Sequence, residues 1–290
     1  MANRPTKLVV PVMLAMLATP AFAAPDTVFF PSADGSTEIV AYLFRPPTRG
    51  AHPAIVMLHG RGGPYSANVN EECTLVSRSS PSACNASSLS KRHTMWGQYW
   101  AERGYVALLP DSFGPRGKAH GFERFAHDDP DRDDVNEKTV RPLDAEGAFR
   151  WLHSQRDVIP DRIFLQGWSN GGSTALNVMQ RQGVKTSGYR AALALYPGCG
   201  KKALLAPELT TPAPIALLLG SDDEEVSPAR CQEMARRSIA AGSKVDVVLY
   251  PGATHGFDDP GRSRQSIPGN RAALEDALKR AIAFVERLRD

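Results

Sequence analysis

Arg162-Ile-Phe-Leu-Gln-Gly167-Trp168-Ser169-Asn170-Gly171-Gly172 decides the fold. Its first half has the length and apolar character of a buried strand; its second is a G-x-S-x-G turn that opens into a helix. A chain that turns so sharply from strand to helix brings backbone against backbone, and Gly167 and Gly171 carry no side chain to collide there. Ser169 is therefore expected to stand exposed at a helix N-terminus. Unpaired backbone N–H groups in that first turn, Asn170 foremost, can stabilise the anion formed when a carbonyl is attacked.

A lone Gly/Ser pattern also describes ordinary turns, so its surroundings matter. Downstream, Ile215-Ala-Leu-Leu-Leu219 reads as a second buried strand, ending in the acidic loop Gly220-Ser-Asp222-Asp223-Glu-Glu-Val226. Lys244-Val-Asp-Val-Val-Leu-Tyr250 alternates as a strand and empties into Pro251-Gly-Ala-Thr254-His255-Gly256-Phe257. Serine, acid and histidine, each just past the C-terminal end of a strand, follow the chain order of the α/β-hydrolases. Upstream, Ala54-Ile-Val-Met-Leu58 leads into His59-Gly60-Arg61-Gly62-Gly63, a glycine-rich loop able to turn N–H groups toward the serine. The backbone N–H groups of Arg61 and Asn170 are the candidate oxyanion donors. His59, following a buried strand, is expected to orient this loop by hydrogen bonding and not to transfer protons.

With these motifs in hand, the chain resembles the dienelactone hydrolase-like branch of the α/β-hydrolases over nearly all of its mature length. The resemblance is carried by His59-Gly-Arg-Gly-Gly63, Arg103-Gly-Tyr-Val-Ala-Leu-Leu-Pro-Asp-Ser-Phe-Gly-Pro-Arg-Gly117, Gly167-Trp-Ser-Asn-Gly171, Asp223 and Thr254-His255-Gly-Phe257. It implies a mostly parallel central sheet with helices on both faces. It also implies that Asp223, not Asp222, partners His255, because Gly220-x-x-Asp223-x-x-Val226 keeps the family spacing. Glu224 and Glu225 are expected to complement the N-terminus of a helix starting near Ser227-Pro228. One departure matters: dienelactone hydrolases proper carry a cysteine at the elbow, whereas this chain has Ser169. The serine favours a broader carboxylic ester hydrolase acting on small esters or lactones through an acyl-enzyme. The family's lack of a large hydrophobic lid implies short or medium acyl groups. A peptidase or amidase would need the same triad of Ser169, Asp223 and His255. A catalytically silent binding protein is the third class, against which the retained triad argues.

Each step of that chemistry uses side-chain protons and backbone dipoles, so no cofactor or metal is expected. The run Asp128-Asp-Pro-Asp-Arg-Asp-Asp134 lacks the glycine and spaced glutamate of a calcium loop and reads as solvated surface. The chain has 34 basic and 31 acidic residues, and no basic patch with interleaved aromatics, so nucleic acid is not an expected partner.

Arg4 and Lys7 precede the short apolar run Leu8–Ala18, and Ala21-Phe22-Ala23 offers a small-x-small cleavage site. Residues 1–23 are therefore expected to be a secretory signal peptide, leaving an exported, periplasmic or secreted protein that starts at Ala24 without a stable membrane anchor. Residues 24–290 are expected to form one α/β domain, since strand and helix patterns alternate through them without a linker. Two polar insertions, near 64–92 and 114–139, should lie at the active-site rim. The first holds Cys73, Cys84 and the Asn85-Ala-Ser87 sequon; the second holds His120, Phe122, Phe125 and His127. Phe122 and Phe125 either contact substrate or pack the loop on itself. Four cysteines in an exported chain make two disulfides plausible, Cys73 with Cys84 and Cys199 with Cys231, the second pair being alternatively two buried thiols. Residues 140–155 and 270–287 carry the pattern of amphipathic helices.

Overall fold

Strands whose side chains are buried on alternate sides need a layer of helices on each face. In the computed structural model, which describes residues 24–182 and 188–288, that condition organises the described chain. Strands β1 (Asp26–Pro31) and β2 (Glu38–Phe44) form a hairpin, closed by Asp34, whose Oδ1 accepts the N–H groups of Ser36 and Thr37. Strand β3 (His52–Leu58) is followed by the short helix α1 (Ala67–Asn70) and by α2 (Lys91–Glu102). Then come β4 (Val106–Asp111), α3 (Arg141–His153), β5 (Val158–Trp168), α4 (Asn170–Gln182), β6 (Ala192–Leu195) and β7 (Ile215–Gly220). The chain ends with α5 (Pro228–Ala240), β8 (Val245–Tyr250), α6 (Arg262–Gln265) and α7 (Pro268–Glu286).

The eight strands make one sheet in the order β1-β2-β4-β3-β5-β6-β7-β8. Only the β1–β2 and β2–β4 pairs are antiparallel; every other pair is parallel. Along β2 and β3 the side chains divide as a period of two requires. Tyr42, Phe44, Ile55 and Met57 join Trp96 and Trp100 of α2 and Phe284 of α7 on one face. Ala41, Leu43, Val56 and Leu58 join Leu152 of α3, Leu176 of α4 and Met234 of α5 on the other. The expected fold class, a mostly parallel sheet covered on both faces, is the observed one.

Two details differ from the sequence reading, whereas the cysteine pairing agrees with it. The expected helices are shorter or shifted, Arg141–His153 and Pro268–Glu286, with Pro142 and Pro268 in their first turns, where a missing N–H costs nothing. The first insertion ends sooner, because Ser90 accepts the His93 N–H as a helix N-cap and α2 starts at Lys91. Both cysteine pairs are disulfides: Cys73–Cys84 spans 6.1 Å between Cα atoms and Cys199–Cys231 spans 5.0 Å. Those distances suit a disulfide, and two disulfides are compatible with an oxidising compartment. Among the described residues no helix is long and apolar enough to cross a membrane. The expected signal peptide, residues 1–23, lies outside the described residues.

Candidate active site

Parallel strands deliver their C-terminal ends to one edge of the sheet, and Leu58, Trp168, Gly220 and Tyr250 all end there. Between β5 and α4, Ser169 sits at φ +53°, a left-handed conformation uncommon for a serine. The turn is tight enough that a Cβ on Gly167 would overlap the Gly171 carbonyl oxygen, and one on Gly171 would overlap that of Leu58. The flanking glycines are thus required by close approach.

Three side chains from separate loops meet at this turn. His255 Nε2 lies 3.0 Å from Ser169 Oγ, and His255 Nδ1 lies 2.9 Å from Asp223 Oδ2. A carboxylate on Nδ1 places the proton there, leaving the Nε2 lone pair toward the serine hydroxyl. Asp223 is itself fixed, its Oδ1 accepting the N–H groups of Glu225 and Val226 at 2.9 Å each. Asp222 is exposed, and among the described residues its carboxylate accepts only the Ser221 hydroxyl.

The two glutamates do something other than complement α5, whose N-cap is Ser227. Glu224 Oε2 accepts the His255 backbone N–H at 2.9 Å. Burial raises the Glu224 pKa, but the His255 N–H, its own N–H and Arg264 outweigh that and hold it at about 2. Glu225 takes Arg61 Nε at 3.3 Å and Arg124 Nε at 3.0 Å, with an oxygen 3.7 Å from His255 Nε2. Arginines arriving from two other loops override the attraction of the nearby helix dipole.

The glycine-rich loop after β3 runs beside the serine, since a Cβ on Gly60 would lie 3.6 Å from Ser169 Cβ. Arg61 is tied at both ends of its residue: its carbonyl accepts the Phe122 N–H at 2.9 Å, and its Nη1 donates to the Phe122 carbonyl at 2.9 Å. His59 is buried, with Nδ1–H donating to the Gly60 carbonyl at 2.8 Å and Nε2 accepting the Ser112 N–H at 3.2 Å. Burial, and then the charge of Arg141, push its pKa well below the ordinary value, so it is a neutral strut, as the sequence suggested.

Two cavities meet at Ser169. A cleft of ≈ 290 Å³ is bordered by Gly60, Tyr65, Trp168, Tyr196 and His255. On the other side a pocket of ≈ 40 Å³ is bordered by Asn170, Ser173, Gly198 and Val226, with Arg61 and Glu225 on both walls. The insertion at 114–139 reaches the pocket as its position implied. Phe122 packs on Phe113 at 5.3 Å between ring centroids, while Phe125 is 62% exposed on the pocket rim, so the two aromatics divide the packing and rim positions. Among the described residues no group of side chains is arranged to hold a metal ion.

A family model for the dienelactone hydrolase family matches residues 89–288. The chain belongs to the dienelactone hydrolase family. Membership makes it a hydrolase. Solved structures with the same fold include a candidate dienelactone hydrolase from Klebsiella pneumoniae subsp. pneumoniae, at 17% identity and TM-score 0.66, covering 90% of this chain and 99% of that one. A dienelactone hydrolase-like promiscuous phosphotriesterase from metagenomic libraries matches at 18% identity and TM-score 0.62, covering 92% and 99%. The apo form of Thermogutta terrifontis esterase 2 matches at 20% identity and TM-score 0.61, covering 93% and 97%.

Several groups around the site of this dienelactone hydrolase family member escaped sequence reasoning. Buried Asp258 accepts the indole N–H groups of Trp96 at 2.8 Å and Trp168 at 2.7 Å, and the Tyr196 hydroxyl, anchoring the turn that carries His255. Tyr196, at φ +37°, sets its ring edge-on to His255 at 4.8 Å. Buried Arg141 donates to the His59 carbonyl at 2.7 Å and to the Asn170 side chain, bracing both loops that flank the serine. Burial lowers its pKa to about 10, which keeps it cationic at neutral pH. The only sequence signal was the acidic pair directly after Phe257, which reads as surface until its indole partners are known.

Proposed function

We propose that the protein is a serine-dependent carboxylic ester hydrolase acting on small esters or lactones. The observation that carries this reading is the unbroken hydrogen-bonded chain from Ser169 through His255 to Asp223, opening on two cavities. His255 Nε2 takes the Ser169 proton as the oxygen attacks the ester carbonyl; Asp223 holds the tautomer and offsets the imidazolium charge. The tetrahedral oxyanion is received by the backbone N–H groups of Arg61 and Asn170. His255 then returns the proton to the leaving alcohol, and water, deprotonated in turn, releases the acyl group.

The ≈ 40 Å³ pocket supports a short acyl group, since a single water needs about 10–15 Å³ by the same measure. The larger cleft suits the leaving alcohol. Export through a leader at residues 1–23 fits the two disulfides. The Thermogutta esterase of similar fold has been obtained phosphorylated by paraoxon, which recommends a phosphorus-based probe. The test is Ser169→Ala with a fluorophosphonate label and p-nitrophenyl acetate. The expected result is loss of labelling and a fall in kcat of about 10⁴ or more; activity within tenfold of wild type rejects the reading. Rates across an acyl-length series are expected to peak at short chains, and a maximum at long chains would reject that part.

A further inference from the structure

We infer that the small pocket beside Ser169 is built for a short acyl group bearing a hydroxyl, and that Glu137 is the residue that selects it. This deepens the reading of Ser169 as the acylated nucleophile and rests on it.

Besides Asp223, whose side chain is enclosed beside His255, four acidic residues are buried among the described residues: Asp111, Glu137, Asp144 and Asp258. Three are saturated with donors. Asp111 accepts the Tyr65 hydroxyl and the N–H groups of Phe113 and Gly114. Asp144 accepts a guanidinium fork from Arg116 at 2.8 and 2.9 Å, and Asp258 accepts two indoles. Glu137, only 4% exposed, makes no hydrogen bond through its carboxylate among the described residues. It is ion-paired with Arg132, whose Nη2 lies 3.6 Å away, a charge contact longer than a hydrogen bond that leaves its acceptor capacity available. Neither Glu137 oxygen is among the fully enclosed side-chain atoms that lack a partner, so the carboxylate keeps access to the cavity it borders, where a ligand's donor can take the place of water.

The cavity it borders is the ≈ 40 Å³ pocket that also reaches Ser169. Glu137 is held there by Asn136, whose Oδ1 accepts the N–H groups of Lys138 and Thr139, just before α3 begins. His127 lines the same pocket; its Nδ1 accepts from Arg132 Nη1 at 3.3 Å, so its proton sits on Nε2 and that atom is a donor. The pocket thus carries both an open acceptor and a donor, the pair that a hydroxyl satisfies. An ammonium group would be one cation too many, because Arg132 and the buried Arg141 already offset Glu137. An acyl carboxylate would meet Glu137 and Glu225 together.

The experiment compares esters in which a hydroxyl replaces a methyl of similar size: methyl glycolate against methyl propanoate, and methyl lactate against methyl 2-methylpropanoate. The kcat/KM ratio, hydroxylated over alkyl, is measured for the full-length protein and for Glu137→Leu and Glu137→Gln, each checked by circular dichroism. Dividing one protein's ratio by another's cancels the intrinsic reactivity of the esters. Glu137→Leu is expected to lower the ratio about tenfold; Glu137→Gln, whose neutral carbonyl accepts more weakly, is expected to fall between. Should Glu137→Leu fail to fold, the Gln variant decides: a fall of threefold or more supports the inference. A ratio that shifts less than threefold in the folded variants, with Ser169→Ala inactive, overturns this inference alone. Turnover retained in Ser169→Ala overturns it together with the nucleophile reading.

Discussion

Asp222 and Asp223 are chain neighbours, and successive residues of an extended segment face opposite ways. Asp223 faces His255 at 2.9 Å and Asp222 faces solvent. Asp223→Asn is therefore expected to lower kcat by about 10⁴, because an amide no longer enforces the Nδ1–H tautomer, while Asp222→Asn changes it by less than about tenfold. Steady-state kcat of both variants on p-nitrophenyl acetate decides; a crippled Asp222→Asn would move the acid by one residue. Glu224 supplies a pH test. Its folded pKa of about 2 lies below the ordinary value of 4.5, so it stabilises the fold fully above about pH 5, and that contribution disappears as pH falls toward 2. Glu224→Gln should lack this contribution, so the stability gap between wild type and variant is expected to close over that range in urea titrations. The gap itself should be small, because the side chain is 38% exposed and solvent screens it. A gap that widens on acidification would reverse the assignment.

At the level of elements, the second insertion is stapled to the loops that follow β3 and β7 and not merely draped over them. Arg61 and Phe122 exchange two hydrogen bonds, and Arg124 bridges Glu224 at 2.9 Å and Glu225 at 3.0 Å. Arg124→Ala is expected to raise KM several-fold for short-acyl esters with a smaller effect on kcat, since it loosens the pocket rim beside Phe125 while leaving Ser169, His255 and Asp223 in contact. An equal fall in kcat with unchanged KM would argue against a rim role. The first insertion is held by its own cross-link. Opening Cys73–Cys84 with a double serine substitution should lower the unfolding free energy by about 2 to 3 kcal/mol, the loop-entropy value for a short ring. Urea unfolding measures it, and no change would show that the loop is held by other contacts. Cys199–Cys231 ties the loop beside Gly198, a wall of the small pocket, to α5.

For the whole molecule, eight strands carry two buried layers, and their shared C-terminal edge gathers loops that are far apart in the chain. The same assembly must survive outside the reducing cytosol if residues 1–23 direct export. Protein recovered from its native host is expected to begin at Ala24 and to carry two disulfides, which intact-mass measurement with and without reductant resolves. A full-length mass or four free thiols would contradict export.

The positions of Ser169, Asp223 and His255 were legible because each follows an apolar run at a fixed short offset, and strand ends are a local property of the chain. The glycines at the elbow were legible for the same reason: a turn that tight excludes a Cβ whatever surrounds it. The Cys199–Cys231 pairing was legible but its bridging was left open, since two cysteines at a separation of 32 reveal a 5.0 Å Cα distance only after β6 and α5 have packed. Glu224 and Glu225 looked like helix partners because a charge beside a helix end is a local cue. Their actual partners, His255, Arg61 and Arg124, come from three other loops. Asp258, Arg141 and Glu137 belong to no motif in the sequence, and it is burial by distant elements that makes one an anchor, one a brace and one an acceptor on the pocket that reaches the serine. Burial and hydrogen-bond saturation depend on which segments pack together, and no periodicity along the chain records that.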